Sequence, residues 1–288
     1  MAGTFPWLNG SLRLQGLRLG IRHWRIGRAT TVKLGFIGTG KISRAVVEGL
    51  CNSDLEGLSI RLSPRNEQTS RTLARAFANV ERCLSNQQVL DQSDVICLAV
   101  RPDDAREVLQ ELAFREDHTV VSLVPFLVQA DLAKCVAPAR QVCRAIPLPT
   151  VVHHQCPIPI LNANDMVTTL FKAIGQPLPV EDEHQLHVLW ALTGLISPFY
   201  DMLRQWGDWS VGKGVGQDLA NAFIADMAQA LSFCARQDSP IRFDRLSQHA
   251  ATPGGMNEQA AREIMAAGSH AAYQETLDRL LERFPKMG

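Results

Sequence analysis

The chain has 288 residues, long for one ordinary core and sufficient for two, since domains usually run to roughly 100–200 residues. Its 29 Lys and Arg balance 29 Asp and Glu, so no net field draws nucleic acid, an acidic membrane or a polyanionic partner. Seven scattered cysteines form no CxxC pair and no metal-ligand cluster, and no uninterrupted apolar run reaches about 18 residues, so the expectation is a soluble, cytoplasmic protein without a metal, acting on a small molecule.

Residues 1–31 hold Arg13, Arg18, Arg22, Arg25 and Arg28 and no acid, the first acid being Glu48. A targeting presequence can look like this, but Gly10, Gly16, Gly20 and Gly27 interrupt any amphipathic helix. The segment is expected to be an extension, either disordered or an upstream start, that takes no part in the fold.

From Val32 short apolar runs alternate with helical stretches, the pattern of βαβ units in a parallel sheet. Strands are predicted over 32–37, 58–62, 94–100, 119–124 and 141–146, with helices over 42–51, 67–77 and 104–113. Beyond about residue 180 strand signals cease. Helices are predicted over 180–195, 198–206, 217–236, 253–267 and 269–284, the third carrying an apolar stripe of Leu219, Ala222, Phe223, Met227, Ala230 and Leu231 that reads as buried. The expected architecture is α/β, a dinucleotide-binding domain over 32–178 followed by an all-helical domain over 179–288.

The first candidate site follows the first strand. Gly38, Thr39, Gly40, Lys41 and Ile42 lead from strand into helix, the context that makes a glycine turn a dinucleotide fingerprint. Gly38 permits the tight turn, Gly40 lets a pyrophosphate approach the helix N-terminus, and Ser43 stands in the small third position. At the end of the second strand, an NAD-selective site would place an acid for the ribose 2′-hydroxyl. Here Ser63, Arg65 and Asn66 occur instead, donors suited to a 2′-phosphate, so NADPH is the expected cofactor. An ordinary solvated loop is the plainer alternative. Ala99, Val100, Arg101 and Pro102 close the apolar strand at the sheet's carboxyl edge, where ligands bind in open α/β folds, and 144–149 ends a later strand in a similar place.

In the helical half, Thr252 reads as an N-cap and Pro253 as the first helical residue, with Gly254 and Gly255 leaving amides uncovered for a carboxylate or phosphate. His184 and His187 lie beside Glu181, Asp182 and Glu183, which reads as a solvated helix face rather than a metal site.

Taken in order, IGTGKISRA at 37–45, SPRN at 63–66, DVICLAVRP at 94–102, RAIPLP at 144–149, LF..IG at 170–175 and TPGG at 252–255 resemble the pyrroline-5-carboxylate reductase family. The resemblance implies an NADPH-using imine reductase with a Rossmann domain and a helical dimerisation domain, its active site between cofactor and partner subunit. The chain departs from the family at Leu148, where Asn is usual, in the 193–200 segment, and at Asn257, where a hydroxyl-bearing Thr is usual. The resemblance assigns a carboxylate to the amides of Gly254, Gly255 and Met256, and orientation of the imine nitrogen to Asn257. Two rivals stand beside pyrroline-5-carboxylate reduction: a reductase of a different imine, and a catalytically idle paralogue that binds NADPH and acts through its dimer.

Overall fold

The computed structural model describes residues 31–285, so the expectation for the extension falls, save Thr31, outside the described residues. The first half contains β1 (Val32–Ile37), α1 (Lys41–Cys51), β2 (Leu58–Leu62), α2 (Glu67–Ala76), β3 (Val80–Arg82), α3 (Asn86–Asp91), β4 (Val95–Leu98), α4 (Pro102–Gln110), β5 (Thr119–Ser122), α5 (Gln129–Cys135) and β6 (Gln141–Ala145). A short 3-10 turn (Pro149–His153), β7 (Pro157–Leu161), α6 (Asp165–Lys172) and β8 (Gln176–Pro179) complete it. The remainder is helical: α7 (Glu183–Leu192), α8 (Ile196–Gly212), α9 (Gln217–Ala235), α10 (Phe243–Ala250), α11 (Met256–Ala266) and α12 (Ser269–Leu281).

The strands form one sheet in the order β3-β2-β1-β4-β5-β6-β7-β8, parallel except where β7 runs against β6. Strand order reverses at β1 and β4, which opens a crevice at their carboxyl ends. The central strand β4 (VICL) is apolar and buried throughout because both faces of the sheet are covered. Leu34, Phe36 and Cys97 pack on one face with Val46 and Leu50 of α1 and Phe171 of α6. Ile37, Ile96 and Leu98 pack on the other with Leu90 of α3, Leu109 of α4 and Leu132 of α5.

Several expectations change. The strand expected at 94–100 is confined to Val95–Leu98, and Pro102 opens α4 at its first position, where its missing N–H costs nothing. The helix expected from residue 253 starts at Met256, because Gly254 adopts a φ of 72°, which an α-helix cannot include. The apolar stripe of α9 is not buried within the chain: Leu219, Phe223 and Leu231 are each about two-thirds exposed. By length and composition Glu183–Gly212 is also long and apolar enough to cross a membrane, against the expectation from uninterrupted runs. Its first two turns are nevertheless bound to the sheet, with Leu186 packed on Ile146 and Leu161.

Candidate functional site

The β1–α1 turn is shaped by two glycines with opposite duties. Gly38 has a φ of 93°, and a Cβ there would stand 2.6 Å from the Ala99 carbonyl oxygen, so this position must be Gly. A Cβ on Gly40 would meet nothing within 4 Å. That open space lies over the N-terminus of α1, which has no side-chain cap and no acid in its first turn. Its uncovered N–H groups and positive dipole end suit a pyrophosphate. Ser43 is fully buried and donates from Oγ to the Gly38 carbonyl at 2.7 Å, so it clamps the turn as well as filling the small third position.

At the end of β2 the three expected phosphate donors divide. Ser63 is fully buried, its Oγ accepting from the Gly38 N–H at 2.9 Å, while the Thr39 hydroxyl reaches the Ser63 carbonyl at 3.5 Å. Ser63 therefore braces the glycine turn and does not face a 2′-phosphate, which corrects the expectation. Asn66 caps α2 by accepting from the Thr69 N–H at 3.2 Å. Arg65 stays on the surface and donates to Asp104 of α4 at 2.8 Å. The acid missing from the end of β2 thus arrives from α4, at a point the sequence spacing did not suggest.

Ala99 and Val100 line the crevice floor, the Ala99 N–H bonded to the Ile37 carbonyl at 2.8 Å. Arg101 is the N-cap position of α4 and is exposed beside Pro102. The later strand holds a buried charge cluster that the sequence reading placed on a solvated face. Arg144 is fully buried, donating from Nη1 to Glu183 and to His187 Nε2 at 3.0 Å. Because Arg can only donate, His187 accepts and is neutral at Nε2. Glu183 also accepts from the Gln129 N–H at 2.6 Å, which ties the start of α5 to α7. Burial, then the Arg144 charge, hold the His187 pKa below its ordinary range. Phe284 stacks on His187 with ring centroids 4.6 Å apart and lies 4.9 Å from Phe126, so the chain's last described turn returns to the sheet. The i,i+4 spacing of Glu183 and His187 was the available signal; only the fold supplies Arg144.

The 252–258 turn differs most from expectation. Thr252 is not the N-cap of α11; Gly255 is. Two of the three amides assigned to a substrate carboxylate are already engaged: the Gly254 N–H donates to Glu258 Oε2 and the Gly255 N–H to the Thr252 carbonyl, each at 2.8 Å. Met256 is 87% exposed. Asn257 donates from Nδ2 to the Ala250 carbonyl at 3.0 Å, which leaves its Oδ1 as an acceptor on the exposed face. Among the described residues, no hydrogen bond or ion pair joins 237–267 to the sheet, so the chain by itself does not bring this turn against the β1–α1 crevice.

Comparison with known proteins gives two results. Residues 33–125 match the family described as NADP oxidoreductase, coenzyme F420-dependent, which covers the dinucleotide half only. Over nearly the whole described fold the chain is similar to the pyrroline-5-carboxylate reductase of Pseudomonas aeruginosa, 24% identical over 88% of this chain and 96% of that protein. Among solved structures, the pyrroline-5-carboxylate reductase of Coxiella burnetii superposes with a TM-score of 0.76 at 20% identity, covering 88% of this chain and 97% of that one. A Plasmodium falciparum pyrroline carboxylate reductase with NADP bound gives 0.75 at 17% identity, covering 88% and 96%. The resemblance carried by the motifs therefore extends along the chain, and the fold, a Rossmann-type sheet followed by helices, is that of these enzymes.

Proposed function

We propose that this chain is an NADPH-dependent oxidoreductase that reduces the C=N bond of a cyclic imine, pyrroline-5-carboxylate to proline being the nominal case set by its relatives. The observation that carries this is the β1–α1 turn, open above Gly40 and closed by the Ala99 carbonyl behind Gly38, within a chain that over 88% of its length is similar to a pyrroline-5-carboxylate reductase. Gly38, Thr39, Gly40, Lys41 and Ile42 would hold the pyrophosphate, Arg65 and Asn66 the 2′-phosphate, and Ala99 to Pro102 the crevice wall. When bound, NADPH supplies the hydride that adds to the imine carbon. The chain's own part is to hold a protonated imine near the sheet's carboxyl edge and to accept its N–H. Asn257 suits that acceptor role, since the bond from Nδ2 to Ala250 turns Oδ1 outward.

The active unit in this reading is a homodimer or higher homo-oligomer. Residues 32–178 form the cofactor domain and 179–288 the helical domain that pairs with a second copy. The exposed stripe of Leu219, Phe223 and Leu231, joined by Trp209 and Phe233, supports pairing, because a contiguous apolar surface of this kind is rarely left to water. The 252–258 turn of one copy would then reach the crevice of the other. The cytoplasm suits the seven free cysteines. The test is NADPH oxidation against five- and six-membered cyclic imines, each with and without a ring carboxylate. Turnover of any of them supports the reading. Tight NADPH binding without turnover of any would leave the idle paralogue.

A further inference from the structure

Arg82 ends β3, a three-residue strand at the edge of the sheet, and the register sets it beside Leu62 at the end of β2. The sheet thereby brings it to the 63–66 loop, whose Ser63 braces the Gly38 turn of the crevice. Its side chain is half-buried and binds that loop: Nη2 donates to the Pro64 carbonyl at 3.3 Å, and Nε to Ser70 Oγ at 3.2 Å. Ser70, fully buried, in turn donates to the Asn66 carbonyl at 2.9 Å. Arg82 is thus fixed, directly and through Ser70, to the loop expected to meet a 2′-phosphate.

Both acceptors are neutral, and Nη1 makes no hydrogen bond among the described residues. No carboxylate among them pairs with Arg82 either. Glu81, beside it on β3, pairs with Arg61 at 3.3 Å, and Glu67, in the first turn of α2, with Arg71 at 2.6 Å. A guanidinium drawn partly out of water against neutral oxygens gives up hydration without gaining a counter-charge, a cost that a bound anion would offset. Arg65 stands differently on the same loop, since Asp104 already takes its charge. The loop therefore carries two arginines, one committed to an acid of the chain and one not.

We propose that Arg82 is a second cation for the 2′-phosphate of the cofactor and a determinant of the choice of NADPH over NADH. The proposal rests on the NADPH-dependent reading for the identity of the ligand. A 2′-phosphate carries between one and two negative charges near neutral pH and accepts short, charged hydrogen bonds from a guanidinium. The sequence hides the residue because it lies outside the loop and reaches it only through the pairing of β3 with β2.

The experiment measures binding by the full-length protein, so turnover is not needed. NADPH and NADH are titrated by fluorescence, and 2′,5′-ADP and 5′-AMP, which differ only in the 2′-phosphate, by calorimetry. Wild type is expected to prefer the 2′-phosphorylated member of each pair. Arg82→Gln keeps donors for Pro64 and Ser70 but removes the charge; it should weaken NADPH and 2′,5′-ADP by about tenfold or more and leave NADH and 5′-AMP within about twofold. Arg82→Lys, which keeps the charge and loses the fork, should fall between. The NADPH affinity should also depend less on salt in Arg82→Gln than in wild type, which a purely structural brace would not produce. Equal wild-type affinity within each pair, or a loss in Arg82→Gln shared by all four ligands and matched in Arg82→Lys, would overturn the proposal. Failure of every cyclic imine to turn over, with the 2′-phosphate preference present and sensitive to Arg82, would count against the imine-reductase reading alone.

Discussion

Arg65 and Asp104 hold each other at 2.8 Å on the surface, and a 2′-phosphate would have to displace the acid to reach the guanidinium. Two opposed effects follow. Arg65→Ala should raise the KM for NADPH by about tenfold and leave that for NADH nearly unchanged, the low end of the roughly 1.5–3 kcal/mol of a charged hydrogen bond because the side chain is exposed. Asp104→Asn should lower the NADPH KM by up to about fivefold, since an exposed pair contributes at most about 1 kcal/mol. Steady-state kinetics with both cofactors checks the pair, and equal affinity of wild type for NADPH and NADH would contradict both. His187 carries a second prediction at this scale. Burial lowers its folded pKa below the ordinary 6.5, so the unfolded chain binds the extra proton first as pH falls. The stability tied to neutral His187 is therefore complete above about pH 6.5 and lost as pH drops through the window beneath it. Thermal melts across that range should show a decline in wild type that is shallower in His187→Gln, which keeps an acceptor for Arg144 and does not titrate. Neither partner was legible in the sequence. Glu181, Asp182 and Glu183 look like a solvated run, and nothing in the spacing shows that one of them faces a buried Arg 39 residues away.

Among the elements, β1 and β2 were legible to the residue because short, mostly apolar or alternating runs are bounded there by turn signals. β7 and β8 were not, for a specific reason: Pro157, Pro159, Pro177 and Pro179 remove the N–H groups that define a ladder, and such runs are demoted in any sequence reading. Here β8 is an edge strand and β7 shares only a short register with β6, so the lost donors are tolerated. α9 was legible from its spacing, and its apolar stripe, more than one small helical domain can bury, is left exposed within the single chain. The expectation is that the protein sediments as a dimer at micromolar concentration. Phe223→Asp, which places a charge in the middle of the stripe, should shift it to monomer and abolish turnover together. A wild-type monomer with full activity would contradict the shared site.

At the scale of the whole molecule, the cofactor half is the part that sequence pattern specifies well, because a dinucleotide turn needs glycine at fixed positions for steric reasons that any sequence shows. The substrate half resists that reading. In the 252–258 turn, which backbone amides are occupied and which end of the Asn257 side chain faces outward are decided by the folded turn, and residue spacing does not show either. The rivals to imine reduction differ from it in one physical event, the arrival of a hydride on the imine carbon. The most direct test is therefore isotopic. NADPH deuterated at the transferring C4 position is incubated with pyrroline-5-carboxylate and the other cyclic imines of the panel and the full-length protein, and the amine product is weighed by mass spectrometry. The account predicts an amine one mass unit heavier, with one NADPH consumed for each amine formed. Consumption of NADPH without label in the amine, or no amine at all from a protein that binds NADPH tightly, would contradict it.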